Sequence, residues 1–346
     1  GARPIESGRA MRDLVETIVS GIDLTEEEAG ELLNHLTDPA LDPVLAAAAL
    51  AGLRAKGETS DELRGFALGL QRLAVRPDIP TDVAAVDVVG TGGDGSGSLN
   101  LSTGSALVAA AAGAPVIKHG NRSISSQSGS ADVLAALGMN IPWDGAKAGE
   151  MFAKTGFTFL FAPTYHPAMK SIASVRKTLR IRTIFNMAGP LANPARPPFH
   201  VIGVFSLDGA RMIADAMAGM PIERAFVLHG EPGWDEPTPV GPYQLFEVTP
   251  GSVTHTVEDP ADFGIPRCRE TDLLGGEPAF NAAELLKVLN GQTGPHRDAL
   301  VLGASLALRV TGQANDQVDG LAQATAAIDS GRALTLVNRL DETAHV

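Results

Sequence analysis

The 346-residue chain holds a single cysteine, Cys268, which excludes an intrachain disulfide and a thiolate metal cluster. It has no run approaching the ~18 consecutive apolar residues of a membrane helix. Its opening, Gly1-Ala2-Arg3-Pro4-Ile5-Glu6, lacks the apolar stretch of a signal peptide. A cytoplasmic protein with no membrane partner is therefore expected. Positive charge is in deficit: 27 Lys and Arg against 40 Asp and Glu give a formal net charge of −13, which opposes binding along a nucleic-acid backbone. A small polyanion is not excluded, because a few local cations can hold it on an acidic protein. Internal repeats and low-complexity tracts are also missing. What is left is an ordinary globular composition, 44% hydrophobic and 19% charged, on a chain too long for one hydrophobic core.

Two lobes are expected, and the patterning divides accordingly. Residues 11–75 read as helix alone. Thr25-Glu26-Glu27-Glu28 and Thr59-Ser60-Asp61-Glu62 each carry the hydroxyl and carboxylate of a capping box ahead of an apolar-periodic stretch. The Ala-rich segment between them ends near Lys56, with Gly57 placed as its C-terminal cap. Arg76-Pro77-Asp78-Ile79-Pro80-Thr81 then breaks the helical pattern. Beyond it, short apolar runs at 84–89, 114–117, 157–161, 200–205 and 225–228 alternate with helical segments at 103–112, 131–137, 145–155, 209–218 and 281–289. That alternation specifies the α/β class, a mostly parallel central sheet flanked by helices. Residues 243–257 read as two short strands about Pro250-Gly251, an antiparallel addition, and 297–338 return to helix. The expected division is a helical lobe over 1–76 and an α/β lobe over 82–346.

Two glycine-and-hydroxyl runs, each after an apolar stretch, carry the chemistry. The first is Asp87-Val88-Val89-Gly90-Thr91-Gly92-Gly93-Asp94-Gly95-Ser96-Gly97-Ser98-Leu99-Asn100-Leu101-Ser102-Thr103-Gly104. Little side-chain bulk there lets backbone N–H groups approach a ligand, and phosphate suits such a lining. Gly90 to Gly95 also satisfies G-x-G-x-x-G, but a dinucleotide site needs an acidic residue at the end of the next strand, where this chain has Lys118 and His119. No Gly-Lys-Ser/Thr closes the loop, so the nucleotide P-loop fails too. The second run, Pro115 to Asp132, places Lys118, His119, Asn121, Arg122 and several hydroxyls at a strand end just before a helix, where ligands sit in open α/β sheets. Farther on, adjacent Asp235 and Glu236 repel unless water screens them or a cation lies between them, so a solvated loop and a hard-cation site both remain open.

These runs, followed by Phe161-Ala162-Pro163-Thr164-Tyr165-His166-Pro167-Ala168-Met169-Lys170 and Arg182-Thr183-Ile184-Phe185-Asn186-Met187-Ala188-Gly189-Pro190-Leu191, closely resemble the anthranilate phosphoribosyltransferase family of tryptophan biosynthesis. The resemblance runs from about Met11 to the C-terminus. It implies the nucleoside phosphorylase/phosphoribosyltransferase fold, with the N-terminal helices joined by a mid-chain segment near 170–195, lobes that close over the substrates, and a homodimer through the helical lobe. The implied reaction moves the 5-phosphoribosyl group of phosphoribosyl pyrophosphate to the amino group of anthranilate and releases pyrophosphate. By the resemblance, Gly90, Gly92, Gly93 and Asp94 wrap the donor's pyrophosphate, Ser98, Asn100, Ser102 and Thr103 meet phosphate and metal, and Lys118 and Ser130 complete the donor site. Gly90, His119, Asn121, His166, Arg176, Gly189 and Pro190 fall to the acceptor, and Ser102, Asp235 and Glu236 to Mg²⁺. No residue is implied as a general base, since the aromatic amine is already nucleophilic.

The chain departs from the family at Ser98, where threonine is expected, at Arg180, where glycine usually follows the leucine, and in Pro237-Thr238-Pro239-Val240-Gly241-Pro242, whose prolines stiffen the segment after the acidic pair. A paralogue using another aromatic amine, a catalytically silent nucleic-acid-binding relative and a nucleoside phosphorylase of related fold are the competing readings. The acidic balance and the Asp235-Glu236 pair oppose the second, and the long motif from Lys118 to Asp132 the third.

Overall fold

A computed structural model describes residues 4–123 and 127–343; Gly1-Ala2-Arg3 and Ile124-Ser125-Ser126 of the second run lie outside the described residues. The chain opens with four helices, α1 (Pro4–Val19), α2 (Glu26–Leu36), α3 (Pro43–Lys56) and α4 (Ser60–Leu73). Both capping boxes form: Thr25 Oγ1 accepts from the Glu28 N–H at 3.1 Å while Glu28 Oε2 accepts from the Thr25 N–H at 2.9 Å, and Thr59 with Glu62 repeats the exchange at 3.2 and 2.9 Å. Gly57 ends α3 at φ 91°, which only glycine adopts without strain. Glu62 also reaches past its cap to accept from the Leu24 N–H at 2.8 Å and to pair with Lys56 at 3.0 Å, tying the first loop to α4.

Seven strands follow: β1 (Val86–Gly90), β2 (Val116–Gly120), β3 (Phe157–Phe161), β4 (Phe199–Gly203), β5 (Arg224–Gly230), β6 (Tyr243–Thr249) and β7 (Ser252–Glu258). Their order in the sheet is β3-β2-β1-β4-β5-β6-β7, the first five in sequence parallel and the last two added antiparallel. Helix α5 (Leu101–Ala111) connects β1 to β2, and α6 (Ser130–Ala136) with α7 (Gly145–Thr155) connects β2 to β3. The chain winds outward from β1 to β3 and then returns to the far side of β1 as β4. The winding direction therefore reverses between β1 and β4, and crevices for ligands open beyond the carboxyl ends of strands at such a point.

In β4, β5 and β6 side-chain alternation assigns each sheet face to a different core, while both faces of β2 and β3 belong to the first. Val86, Val88, Val116, Phe226 and Leu228 pack with α5 and the helix Pro295–Val310. Ile202, Val204, Ala225 and Val227 pack with the N-terminal helices and with Ile172, Val175, Ile184 and Phe185 of the mid-chain. The helices Lys170–Leu179 and Ile184–Ala188, which bring those residues in, are short. Helix α5 starts two residues earlier than its apolar pattern indicates, because Asn100 turns the chain in the left-handed region at φ 53° and ψ 51°, a conformation asparagine tolerates.

Candidate functional site

Glycines at three neighbouring strand ends decide the shape of the crevice. A Cβ on Gly90 would lie 2.3 Å from Asp235 Oδ2, one on Gly203 1.6 Å from the Asp235 carbonyl oxygen, and one on Gly230 2.2 Å from the Glu236 carbonyl oxygen. Only bare backbone lets the 231–242 loop lie flat across β1, β4 and β5. Once there, Asp235 Oδ2 accepts from the Gly92 N–H at 2.7 Å, and the Asp235 N–H donates to Asp94 Oδ2 at 3.0 Å. The acidic pair is thus built into the strand ends rather than displayed on a solvated loop; Asp235 is only 9% exposed. The prolines behind it are part of the same anchoring, with Pro237 and Pro239 buried, Pro239 O accepting from the Cys268 N–H at 3.3 Å and Pro242 O from the Glu231 N–H at 3.0 Å.

Burial and the neighbouring carboxylates of Glu236 and Asp94 push Asp235 well above the usual carboxylate range. Burial and Asp94 push Glu236 up to about 8, against the pull of Lys118 and the Ser102 backbone. Asp94 moves the other way, its hydrogen bonds from Asp235 and Ser96 outweighing burial. This excess of hard oxygen charge against one buried lysine suits a divalent cation that takes one or two carboxylates and completes its shell with substrate oxygens and water. Among the described residues no three His, Cys, Asp or Glu side chains form a cage of their own.

The first glycine run faces this pair. Gly92, Gly93, Gly95 and Gly97 all have positive φ, so the backbone folds into a loop whose Gly93, Asp94 and Gly95 N–H groups have no acceptor among the described residues. Ser98 is held from outside by a bridge to Leu274. Thr103 Oγ1, 1% exposed in the first turn of α5, has no hydrogen-bond partner. Lys118, read from the sequence as a phosphate-contacting cation at the end of β2, is deeply buried there. Parallel pairing of Val86 with Val116 turns its side chain onto the α5 face, where it is 1% exposed and its Nζ donates to the Val88 carbonyl and, at 3.4 Å, to Ser102 Oγ. Burial lowers its pKa, opposed by Asp87, Glu236 and Asp235. At the end of β2, a Cβ on Gly120 would meet Ser130 Oγ at 2.2 Å, which seats the start of α6 directly on the strand.

On the opposite face of the sheet, His119 and His166 meet at 5.1 Å between ring centroids. Burial, with His166 and Lys118 nearby, takes His119 down to about 3, and burial takes His166 down to about 4. Both are neutral imidazoles, each with an Nε2 that has no partner among the described residues. The carbonyl of Gly189, in the turn Gly189–Leu191 with Pro190, bonds the His119 ring. Asn121 is exposed at the rim and accepts from the Arg122 N–H at 2.7 Å. Arg176, half-buried over the Phe185 ring at 5.2 Å, has no carboxylate within ion-pair distance among the described residues, and burial lowers its pKa. The acidic pair and the open N–H groups thus lie at the strand ends, the two neutral imidazoles meet on the opposite face of the sheet, and Arg176 lies over Phe185 in the mid-chain helices.

Sequence reasoning passed over three residues that hold this arrangement. Asp87, fully buried in β1, accepts from Asn193 Nδ2 at 2.9 Å and from the His119 N–H at 3.3 Å, and burial raises it to about 6; a carboxylate inside an apolar strand was its signal. Arg182 donates to the Gly93 carbonyl and lies 3.7 Å from the Phe205 ring centroid. Asn281 joins three loops from inside an ordinary helical pattern and had no sequence signal.

Residues 82–334 match the family described as Glycosyl transferase family, a/b domain, and residues 12–74 the Glycosyl transferase family, helical bundle domain. The anthranilate phosphoribosyltransferases of Desulforudis audaxviator and Pelotomaculum thermopropionicum are 44% and 43% identical to the chain over 332 residues, 96% of each protein. The crystal structure of anthranilate phosphoribosyltransferase from Thermus thermophilus superposes with a TM-score of 0.90 at 39% identity, covering 96% of this chain and all of that one. The Saccharomyces cerevisiae enzyme, solved in complex with PRPP and Mg, shares the fold at a TM-score of 0.87 and 24% identity, over 97% of this chain and 98% of its own. The chain belongs to the anthranilate phosphoribosyltransferase family.

Proposed function

We propose that the chain is a cytoplasmic, homodimeric enzyme of tryptophan biosynthesis that transfers the 5-phosphoribosyl group of phosphoribosyl pyrophosphate to the amino group of anthranilate. The observation that carries this reading is the pairing of an open N–H loop with the acidic pair. At the β1/β4 switch point a glycine loop with open N–H groups faces Asp235 and Glu236, and Arg176, over the Phe185 ring in the mid-chain helices, has no carboxylate partner among the described residues.

In the transfer, the bond between the ribose anomeric carbon and pyrophosphate breaks, pyrophosphate leaves with the electron pair, the amine nitrogen bonds to that carbon, and one amine proton passes to solvent. The amine needs no strong base, so the protein's task is to hold two anions together and stabilise the leaving group. Gly90, Gly92, Gly93 and Asp94 would cradle the pyrophosphate with backbone N–H groups, and Ser98, Asn100, Ser102, Thr103, Lys118 and Ser130 would border the donor. Asp235 and Glu236, with Ser102 beside them, would hold Mg²⁺, which when bound neutralises charge on the pyrophosphate oxygens. His119, His166, Asn121, Gly189 and Pro190 would form the wall against the aromatic ring, neutral imidazoles presenting it with polar edges and no competing charge. Arg176 would grip the ortho carboxylate through two parallel hydrogen bonds.

The test is purified protein with the donor, Mg²⁺ and a panel of aromatic amines, followed by pyrophosphate release. Release that depends on anthranilate is expected. Preference for an amine lacking an ortho carboxylate would transfer the assignment to a paralogous activity, and no release with any amine would overturn the enzyme reading.

A further inference from the structure

We infer that Asn281 is a positioning residue for the donor site, acting through the side chain of Asn100; this rests on the proposed reading of that site. Asn281 is 1% exposed in the helix Pro278–Leu289 and belongs to neither glycine run. Its Oδ1 accepts from the Gly276 N–H at 2.8 Å, and its Nδ2 donates to Asn100 Oδ1 at 2.8 Å. Asn100 Nδ2 in turn donates to the Ser128 carbonyl at 2.9 Å. The chain of amides begins on a backbone N–H and ends on a backbone carbonyl, so its polarity is dictated at both ends and neither amide can flip without losing a bond.

The consequence falls on α5. Asn100 stands at the N-cap position, where an asparagine ordinarily turns its side-chain oxygen onto the helix's own first N–H groups. Here it makes no cap hydrogen bond and sits in the left-handed region. Its Oδ1 is taken by Asn281 rather than by the first turn of α5, whose Ser102 N–H reaches Glu236 instead. Released from Asn281, Asn100 would lose the contact that holds its left-handed turn, and the start of α5 with Ser102 and Thr103 would be free to shift against the donor's phosphate. The same corner steadies the glycine loop, since the Gly275 N–H donates to the Gly97 carbonyl at 2.7 Å and a Cβ on Gly275 would strike Ser98 O and Asn281 Oδ1 at 2.7 and 2.9 Å. The donor loop is therefore held in part by the helix Pro278–Leu289 and the segment just before it.

Asn281→Asp keeps the size and the acceptor for Gly276 but sets an oxygen against Asn100 Oδ1; Asn281→Ala and Asn281→Ser remove the contact by truncation. Each variant that folds should raise the Kd for phosphoribosyl pyrophosphate with Mg²⁺ by calorimetry, and the donor KM, about tenfold, with the anthranilate KM within twofold of wild type. Asn100→Gly keeps the left-handed turn and has no side chain for Asn281 to hold, so in that background Asn281→Ala should change donor affinity by less than twofold. A lowered Tm with unchanged donor Kd, or an undiminished effect of Asn281→Ala in the Asn100→Gly background, would overturn the inference. Wild-type protein that binds the donor but transfers nothing to anthranilate would contradict the proposed reaction and leave the calorimetric comparison to decide the role of Asn281.

Discussion

Arg180 closes the helix Lys170–Leu179 at φ 52° and ψ 31°, where an L side chain crowds its own backbone. The same position is where glycine is expected from the family pattern, so the departure in sequence coincides with local strain. Arg180→Gly should stabilise the protein by about 1 kcal/mol, read as a small rise in Tm. A second residue-scale effect concerns His200, buried in β4 and held by burial at about 4, below its ordinary value of 6.5. The unfolded chain takes up a proton below about 6.5 that the folded chain refuses, so stability is lost as pH falls through that value. Asp87, raised to about 6, acts in the opposite sense, its contribution falling as pH rises between its unfolded value and 6. Calorimetric Tm values for His200→Gln should therefore decline less than those of the wild type between pH 7 and 5. Parallel declines would refute the linkage. Lys118 shows what a sequence withholds at this scale: its type and its strand were readable, but the face it takes follows from the register of β2 against β1.

Among the elements, the 231–242 loop depends on the three strand-end glycines. Gly203→Ala would drive a methyl into the Asp235 carbonyl, a backbone atom that can move only with the whole loop. That variant should lose most Mg²⁺-dependent turnover while the helical lobe stays folded; full activity would mean the loop position is irrelevant to the metal. Asp235→Ala with Glu236→Ala should likewise abolish Mg²⁺-supported turnover, and activity unchanged at limiting Mg²⁺ would refute the metal assignment. The strands and most helices were legible because apolar runs and capping boxes are local signals: Thr25, Thr59 and Gly57 act as their sequence contexts indicate. Residues 170–191 and 264–277 were less legible. Their backbone is fixed by distant partners, such as Gly97 and Ser98 for the segment near Gly275, and no periodicity records a contact between loops.

At the scale of the molecule, the two sheet faces separate the site's duties. The α5 face buries Lys118 beside Ser102, while the other face carries His119 against His166. The helical side also exposes Val19, Ile22 and Val44, at 59%, 58% and 74%, and these suit the proposed homodimer contact. Val44→Asp should then shift the protein toward monomer in light scattering without unfolding it; an unchanged mass would place the interface elsewhere. The central claim is that donor and acceptor are read by separate poles of one cleft, with Arg176 alone reading the acceptor's carboxylate. Its most direct test compares Arg176→Ala with wild type on anthranilate and on aniline, which has no carboxylate. The account predicts that the mutation lowers kcat/KM for anthranilate by about tenfold to a hundredfold, the worth of a lost charge-assisted contact, and leaves aniline and the donor KM nearly unchanged. Equal losses on the two amines, or a rise confined to the donor KM, would contradict it.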